Sequence, residues 1–467
     1  MIHNLKPYSA YKDSGVPWLG EVPEHWEVVP NRAFLKLKKE LVGTSSSNYT
    51  LLSLTKQGVI ARDLENPEGK FPASFDTYQK VKSGNLIFCL FDIDETPRAV
   101  GLSNLEGMIT GAYTIFECTD PKVVRFIYLF YLAMDNGKQL KPLYTGLRKV
   151  ITKSTFLSAK MPLPPFDEQS AIVRYLDYID RRIRRYIRAK QKLIKLLEEQ
   201  KQAIIHQAVT RGLDPNFKLK PSGVEWLGDV PEHWEVLRSR YIFREVDDRS
   251  VTGQETHLSM SQKHGLIRSD QIETRRLISE SYAGAKICAC GDLVLNRLKA
   301  HLGVFALAPE RGIVSPDYTV LRPALDIIPS YFEFVYRTPA CRVELRQRAK
   351  GIVQGFWRLY TDDFYQIPVP VPPKQEQEYI VTALEEKIRK IKEIITQTEI
   401  EISLLREYRA RLIADVVTGK LDVREAAANL PGEAEETETF DDALAEGELE
   451  NDEVADQAGE LDEEVIA

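Results

Sequence analysis

An internal repeat organises this chain. Residues 14–28, SGVPWLGEVPEHWEV, return as SGVEWLGDVPEHWEV at 222–236, and thirteen of the fifteen positions are identical at an offset of 208. The same offset relates MPLPPFDEQ at 161–169 to VPVPPKQEQ at 369–377. Because one offset relates separated blocks, the sequence predicts two half-units that share a fold and are followed by a tail.

Between the repeated blocks each half has a long stretch in which the two copies differ strongly. Residues 77–90 and 107–118 of the first copy, and 281–295 and 312–323 of the second, alternate turn residues with short β-prone runs. Short helical patterns interrupt them near 122–135 and 329–349. We therefore expect each divergent stretch to be a mixed α/β domain.

A long charged segment follows each proline run, and its apolar residues recur at steps of four and three, which predicts a heptad pattern on a long helix. The predicted core-facing positions of the first copy are Ile172, Leu176, Ile179, Ile183, Tyr186, Lys190, Leu193, Leu197, Gln200 and Ile204. Those of the second are Ile380, Leu384, Lys387, Ile391, Ile394, Thr398, Glu401, Leu405, Tyr408 and Leu412. Since one helix alone cannot bury such a stripe, we expect the two copies to pack on each other.

The predicted fold class is α+β, with two mixed domains, two long helices in an antiparallel coiled coil, and a pseudo-two-fold internal repeat. A parallel tandem arrangement of the two helices is the alternative. The predicted boundaries are 1–27 for an N-terminal segment, 28–165 for the first divergent domain, 166–213 for the central helix, 214–235 for the repeat of the N-terminal segment, 236–373 for the second divergent domain, 374–425 for the C-terminal helix and 426–467 for an acidic tail.

Charge is distributed unevenly along the chain, whose formal net charge is −7. Residues 431–467 hold 16 Asp and Glu and no Lys or Arg, so residues 1–430 carry a balance of +9. A modestly basic body fits a phosphate-binding surface, although an ordinary basic surface is the simpler interpretation of charge alone. The tail has too few apolar residues to bury a core, and we expect it to be disordered.

Several sequence features bear on location. No run of about eighteen apolar residues is present, and the start, MIHNLKPYSAYKD, lacks the apolar core of a signal peptide. The five cysteines are scattered and odd in number, which does not indicate a disulfide framework. We expect a cytoplasmic protein.

Catalytic motifs are missing from the sequence. Neither a phosphate-binding G-x-x-x-x-G-K-[ST] loop nor G-x-G-x-x-G occurs. Asp63 with Glu68 and Lys70 only faintly suggests a nuclease metal site, and a polar loop is the simpler interpretation. Cys288 and Cys290 are separated by one residue and have no second pair, so they do not predict a metal site.

Together the repeated motifs resemble the DNA specificity subunits of Type I restriction–modification systems, over nearly all of residues 14–425. W-L-G-x-V-P-E-H-W-E-V opens each half, and P-x-P-P-x-x-E-Q-x-x-I closes each divergent domain. The second motif is Pro162, Pro164, Pro165, Glu168, Gln169 and Ile172, then Pro370, Pro372, Pro373, Glu376, Gln377 and Ile380. The acidic tail is not a general feature of that family.

The resemblance implies a protein without catalytic residues that recognises a bipartite site in double-stranded DNA. Each divergent domain would recognise one half-site, and the paired helices would act as a spacer. The implied partners are methyltransferase subunits, two in number, and ATP-dependent restriction subunits. This chain would bind no cofactor, whereas those partners would use S-adenosylmethionine, ATP and Mg²⁺.

Candidate DNA-binding residues come from basic and amide-rich loops, because Arg and Lys can recognise guanine, and Asn and Gln adenine, in the major groove. They are Lys56, Gln57, Arg62, Arg148 and Lys149 in the first domain. In the second they are Gln262, Lys263, His264, Arg268, Asn296, Arg297, Lys299, Gln354 and Arg358. The family motifs do not identify these positions, and contact with phosphate or solvent alone is the alternative for most of them.

Other interpretations remain open. The arginines at 181, 182, 184 and 185 form either a solvated helix face or a phosphate contact. The chain could serve a methylation-only system, or be a coiled-coil scaffold that binds only proteins. A solitary nuclease or methyltransferase would need a catalytic motif.

Overall fold

A computed structural model of the protein describes residues 5–62, 74–144, 149–261, 265–271, 282–353 and 356–431. The chain forms two compact units. Unit 1 comprises Met1–Lys190 with Ile400–Thr437, and unit 2 comprises Gln191–Glu399 with Glu438–Ala467. Each unit therefore combines one divergent domain with the start of one long helix and the end of the other.

The helices are α1 Val124–Asn136, α2 Lys153–Ser158, α3 Phe166–Arg211, α4 Ser239–Ile242, α5 Pro329–Arg337, α6 Pro339–Arg348, α7 Thr361–Phe364, α8 Lys374–Val417 and α9 Arg424–Ala428. The strands of unit 1 are β1 Tyr11–Asp13, β2 Glu21–Pro23, β3 Glu27–Pro30, β4 Leu35–Lys38, β5 Leu52–Thr55, β6 Gly58–Ala61, β7 Gln79–Val81, β8 Leu86–Phe88, β9 Val100–Leu102, β10 Gly107–Ile109, β11 Thr114–Cys118 and β12 Lys160–Leu163. Those of unit 2 are β13 Leu219–Pro221, β14 Asp229–Pro231, β15 Glu235–Arg238, β16 Phe243–Val246, β17 Leu258–Ser261, β18 Gly265–Arg268, β19 Lys286–Cys288, β20 Leu293–Asn296, β21 Phe305–Leu307, β22 Gly312–Val314, β23 Tyr318–Pro323, β24 Lys350–Val353, β25 Phe356–Arg358 and β26 Pro368–Val371.

The two units repeat one sheet topology. Unit 1 has the antiparallel order β4-β11-β8-β9, and unit 2 has the matching order β16-β23-β20-β21. In unit 1 the apolar helix α1 packs on this sheet, and Phe88, Phe116, Tyr131 and Phe156 form an aromatic core. The expected mixed α/β domains and the helices near 122–135 and 329–349 are therefore confirmed.

A strand pair joins the two repeated motifs in each unit. β3, which ends the first motif, pairs with β12 of the proline run, and β15 pairs with β26 in the same way. Just beyond these pairs, the Asn31 amide donates to the Ala159 carbonyl at 2.9 Å, and the Ser239 amide donates to the Ile367 carbonyl at 2.8 Å. Each divergent domain thus begins and ends at adjacent backbone atoms.

A glutamate in the first turn of each long helix is the contact point between the motifs. In unit 1, Glu168 is buried and accepts hydrogen bonds from Trp26 Nε1 at 2.9 Å and Tyr8 Oη at 2.5 Å. His25 Nε2 lies 2.7 Å from its other oxygen. These bonds place the motif E-H-W against the start of α3, where a carboxylate is also favoured by the helix dipole.

Unit 2 repeats this arrangement with fewer partners. Glu376 lies 2.8 Å from His233 Nε2 and accepts from Trp234 Nε1 at 3.1 Å. The Oε1 atom of Glu376 is buried and has no hydrogen-bond partner. In unit 1, by contrast, Glu168 also accepts a hydrogen bond from the Tyr8 hydroxyl. The two clusters therefore differ in how completely the carboxylate is satisfied.

The long helices pack against each other within each unit. In unit 1, Tyr175 and Leu176 of α3 share a core with Leu412 and Val416 of α8. Asp180 pairs with Arg409, and Lys190 pairs with Glu401, so the numbering rises along one helix as it falls along the other. The pairing is antiparallel, as predicted.

The core-facing positions of these helices follow the predicted heptad only in part. They are Ile172, Leu176, Asp180, Ile183, Ile187, Lys190, Ile194, Leu197, Lys201, Ile205 and Ala208 on α3, and Ile380, Leu384, Ile388, Ile391, Ile395, Thr398, Ile402, Leu405, Arg409, Leu412 and Val416 on α8. Each set takes ten steps to cross 36 residues, a mean spacing of 3.6 residues. The predicted positions Tyr186, Leu193 and Gln200 of α3, and Lys387, Ile394 and Glu401 of α8, are exposed for this reason.

Two predicted boundaries also need correction. α8 ends at Val417, not at 425, because Gly419 adopts a left-handed backbone with a φ of 80° that ends the helix. The predicted tail starts too early at 426, since Ala426, Ala427 and Leu430 are buried in the core of unit 1. The expected disorder beyond 431 concerns residues that lie outside the described part of the chain.

Replacing Gly419 with alanine is expected to destabilise unit 1 by about 2–4 kcal/mol, from left-handed strain together with overpacking. A Cβ atom at this position would lie 2.3 Å from Cδ of Pro23 and 3.2 Å from the Trp26 ring. Gly20→Ala is the matched control, since its φ is 72° but a Cβ there meets nothing within 4 Å. Hydrogen exchange of α1 amides measures the difference, and equal effects of both variants would refute the packing argument.

In the described part of the chain, no helix has both the length and the apolar character needed to cross a membrane.

Candidate nucleic-acid interface

In both units a loop after a central sheet strand lies beside a second segment of the same domain. The Ile151 amide donates to the Leu90 carbonyl at 2.7 Å in unit 1, and the Leu359 amide donates to the Arg297 carbonyl at 3.0 Å in unit 2. Leu90 follows β8, and Arg297 follows β20, which occupies the same place in the repeated sheet. The structure thus brings together predicted residues of each domain at equivalent positions: Lys149 near loop 90–95, and Arg358 near loop 297–302.

In unit 2, buried and half-buried charged groups of the strands support the loop that follows β20. The Arg297 guanidinium donates to Glu245 at 2.9 Å and to the Thr319 hydroxyl at 2.6 Å. Glu245 also accepts from Lys286, whose side chain is only 2% exposed and lies 3.4 Å from Asp247. This arrangement fixes the side chain of Arg297, and sequence patterns did not indicate the supporting groups.

Asn296 serves the loop from inside. Its side chain is 6% exposed, and its Oδ1 atom accepts from the backbone amides of Leu298 and Lys299. Such a bond forms a turn that presents the following residues. The geometry favours a role for Asn296 in shaping the loop, while Lys299 itself is half-buried.

Arg358 lies at the outer edge of the site. Its guanidinium donates to Asp317 at 2.7 Å, lies 6.0 Å from the Tyr360 ring centroid, and is 37% exposed. Lys350 also lies over the Tyr360 ring, at 5.9 Å. A cation and an aromatic ring at one exposed edge are suited to contact phosphate and bases.

The equivalent loop in unit 1 carries the opposite charge. Lys149 Nζ lies 2.5 Å from Glu95 and 3.3 Å from Asp94, and these hydrogen bonds raise the pKa of Lys149. The Tyr144 hydroxyl donates to Asp94 at 2.8 Å and lowers the pKa of that carboxyl. Unit 1 therefore offers carboxylates where unit 2 offers Arg297 and Lys299.

A hairpin supplies further predicted residues in each unit. Lys56 and Gln57 form the exposed two-residue turn between β5 and β6, and Arg62 follows β6. In unit 2 the matching hairpin is β17–β18, and Arg268 at its end makes a two-bond ion pair with Glu310, at 2.5 and 2.8 Å. The predicted residues Arg148, Gln262, Lys263, His264 and Gln354 lie outside the described residues.

No group of three or more His, Cys, Asp or Glu side chains that could hold a metal ion occurs within the described ranges. Cys288 is buried, and desolvation raises its pKa to about 11, whereas Cys290 is exposed.

Comparison with known proteins connects this geometry to one family. The family model for the Type I restriction modification DNA specificity domain matches residues 111–196 and 269–404, one match in each half of the chain. The MjaVIII specificity subunit of Methanocaldococcus jannaschii, a Type I restriction enzyme component, is 24% identical over 65% of this chain and 72% of its own length. The Type I restriction enzyme EcoKI specificity subunit of Escherichia coli is 22% identical over 60% of this chain and 61% of its own length, so the chain spans under two thirds of that relative.

A solved structure supports the fold separately. A chain from a study of complex assembly and conformational transition in the type I R-M system superposes with a TM-score of 0.59 at 15% sequence identity. The match covers 86% of this chain and 99% of that chain. The two family-model matches, one in each half, and relatives of the same kind show that both halves of this chain are similar to the Type I restriction modification DNA specificity domain.

Proposed function

We propose that this chain recognises a bipartite site in double-stranded DNA and directs adenine methylation and restriction by partner subunits. The observation that carries the proposal is the repeated scaffold with different loops. The two units share one sheet topology, but their equivalent loops differ in charge. The loop after β8 of unit 1 is acidic at Asp94 and Glu95, and the loop after β20 of unit 2 is basic at Arg297 and Lys299. A fixed scaffold with variable loops is suited to recognising two different half-sites.

The residues proposed to contact DNA are those of the hairpin turns and of the loops beside them. Among the described positions they are Lys56, Gln57, Arg62, Lys149, Arg268, Lys299 and Arg358. Arg297 and Asn296 are proposed to position the loop from beneath, because Arg297 is engaged by Glu245 and Asn296 by two backbone amides. The proposal extends to the five predicted positions outside the described residues.

Several of these cations are already paired with carboxylates. Arg268 binds Glu310, Arg358 binds Asp317, and Lys149 binds Glu95. A guanidinium that binds a carboxylate with two bonds presents the same donor geometry to a phosphate or to the O6 and N7 atoms of guanine. DNA binding would therefore exchange one acceptor for another, and the ion pairs hold these side chains in place beforehand.

Chemistry is proposed to reside in partners. The internal repeat offers two equivalent sets of surfaces, which suits two copies of one methyltransferase subunit, and a restriction subunit would complete the complex. S-adenosylmethionine, ATP and Mg²⁺ would be used by those partners. Methyl transfer to DNA is expected from the complex and not from this chain alone, and methyl transfer by the isolated chain would refute this assignment.

The Arg358→Ala variant is expected to weaken DNA binding by about 10- to 100-fold and to relax one position in one half-site, as for loss of a base contact worth about 1–3 kcal/mol. Methylome sequencing of cells that express the variant with its methyltransferase subunit measures the relaxed position. Arg348→Ala is the matched control, since Arg348 is similarly exposed but pairs with Glu344 along α6. If both variants lowered affinity equally without changing the methylated sequence, Arg358 would not be a base contact.

The same experiment distinguishes the alternatives. A scaffold that binds only proteins would leave no sequence-specific methylation when it is supplied with the methyltransferase. A methylation-only system would give a methylated bipartite site in cells that show no restriction of unmodified DNA.

A further inference from the structure

The first half of α3 carries an arginine-rich face in unit 1. Residues 174–190 contain seven basic and two acidic side chains. The basic ones are Arg174, Arg181, Arg182, Arg184, Arg185, Arg188 and Lys190. Arg181, Arg182, Arg184 and Arg185 are exposed, and Arg188 is half-exposed. The two acidic residues are Asp177, which pairs with Arg125 of α1, and Asp180, which is shared by Arg184 and by Arg409 of α8.

The repeat provides an internal comparison for this charge. The matching stretch of α8, residues 382–398, contains four basic and three acidic side chains. There Arg389 pairs with Glu393, and Lys390 pairs with Glu386, so the charges of α8 largely compensate each other. A surface that served both half-units alike would be repeated on both helices. The arginine face of α3 therefore fits a binding partner that occurs once in the chain and is not repeated in its two halves.

The chain possesses one strongly acidic segment, and it starts beside this helix. The carbonyls of Leu430 and Pro431 both accept from Arg174 Nη2, at 3.3 Å each. Within eleven residues of Pro431 the sequence holds six carboxylates and no basic residue: Glu433, Glu435, Glu436, Glu438, Asp441 and Asp442.

We propose that the face formed by Arg181, Arg182, Arg184, Arg185 and Arg188 is the docking surface of the acidic segment 433–442 of the same chain. Arg185 lies eleven residues beyond Arg174, a distance of about 16 Å along the helix. Residues 432–442 can span at most about 36–40 Å, so the segment reaches the whole face.

Tethering favours this contact over the same contact between molecules. The segment begins at the edge of the face, and its carboxylates are therefore held there at high effective concentration. A guanidinium has five N–H donors, so Arg182 can bind a carboxylate while it also donates to the Tyr178 hydroxyl at 3.1 Å. Exposed ion pairs of this kind weaken as salt screens them. The docked segment would occupy a surface that is otherwise open to DNA phosphates.

A photo-crosslinker tests the contact in the full-length protein. Phe440 is the single aromatic residue after Pro431, and replacing it with p-benzoylphenylalanine places the probe among the six carboxylates. We expect cross-linked peptides to come mainly from residues 174–190. In about 1 M NaCl, where the Debye length is about 3 Å, the cross-link yield is expected to collapse.

Two variants with matched charge changes make the test specific. Substituting Arg181, Arg182 and Arg185 with Gln is expected to lower the yield about five- to tenfold, as for loss of three exposed ion pairs. Substituting Arg389, Lys390 and Lys392 of α8 removes the same charge and should leave the yield unchanged. Neutralising the six carboxylates of the segment alters no residue of the described fold, and should lower the yield as the α3 variant does.

Cross-links distributed over other surfaces, or an equal yield from the α3 and α8 variants, would overturn the proposal. The outcome does not depend on the DNA sequence recognised by the chain or on its partners. A failure here would therefore leave the proposed function intact.

Discussion

Exchanging residues 31–159 for the corresponding segment of a relative is expected to change one half of the recognised DNA sequence and to leave the other half unchanged. The ends of this segment are adjacent, because the Asn31 amide donates to the Ala159 carbonyl. The flanking pair β3–β12 stays in place and continues to hold the segment on α3. The expected effect is complete replacement of a half-site.

The internal contacts of the segment also move as one body. Asn31 is fully buried, donates to the Phe156 carbonyl at 2.7 Å, and accepts from the Tyr131 hydroxyl at 2.7 Å. All three residues lie inside the exchanged segment, so the exchange separates none of these partners.

Methylome sequencing of cells that carry the chimaera and the methyltransferase subunit measures the result directly. The reciprocal control is exchange of residues 239–367, whose ends meet through the Ser239 amide and the Ile367 carbonyl. That chimaera should change only the other half-site. If either exchange altered both half-sites in an active, stable protein, the assignment of one half-site to each unit would be wrong.

Replacing Glu168 with alanine is expected to destabilise unit 1 by about 3–5 kcal/mol, because its loss leaves buried donors without an acceptor. Trp26 is fully buried and Tyr8 is 5% exposed, and both donate to this carboxylate.

The repeat supplies the matched variant. Glu376→Ala removes the equivalent carboxylate of unit 2, but that group is more exposed, at 17%, and lacks a counterpart of the Tyr8 hydroxyl. We therefore expect a smaller loss, confined to unit 2. Hydrogen exchange followed by mass spectrometry separates the units, with α1 peptides reporting on unit 1 and α5 peptides on unit 2. A larger loss from Glu376→Ala would contradict the argument from unsatisfied donors.

The candidate site was only partly predictable from sequence. Basic loop residues such as Arg268 and Arg358 could be selected by residue type, and both lie at exposed edges of unit 2. Asn296 was selected on the same ground, yet it is buried and bonded to its own loop. The residue type determines which hydrogen bonds a side chain can form. It does not show whether nearby backbone groups already occupy those donors and acceptors in the folded protein.

The groups that support the site carried no sequence signal. Glu245 and Lys286 are 41 residues apart and meet only because β16 and β19 are brought together by the fold of unit 2. The equivalence of loops 90–95 and 297–302, which carry opposite charges, was established by sheet order, in which they lie at an offset of 207 and not at the 208 of the repeated motifs.

By itself the sequence determined the repeat and the alternation of divergent domains with long helices, because periodicity and duplication are properties of residue order. The symmetry of the repeat favoured antiparallel over parallel pairing of the long helices, and the fold decided it. Only the tertiary structure decided that the long helices follow a 3.6-residue period and that the E-H-W and P-P-x-x-E-Q motifs meet at Glu168 and Glu376. The heptad pattern placed Tyr186 and Leu193 in the core, but both are exposed. Steps of four and three fit a period of 3.5 residues and a period of 3.6 residues almost equally well, and over ten steps the two differ by one residue. Contact with the partner helix decided which residues are buried.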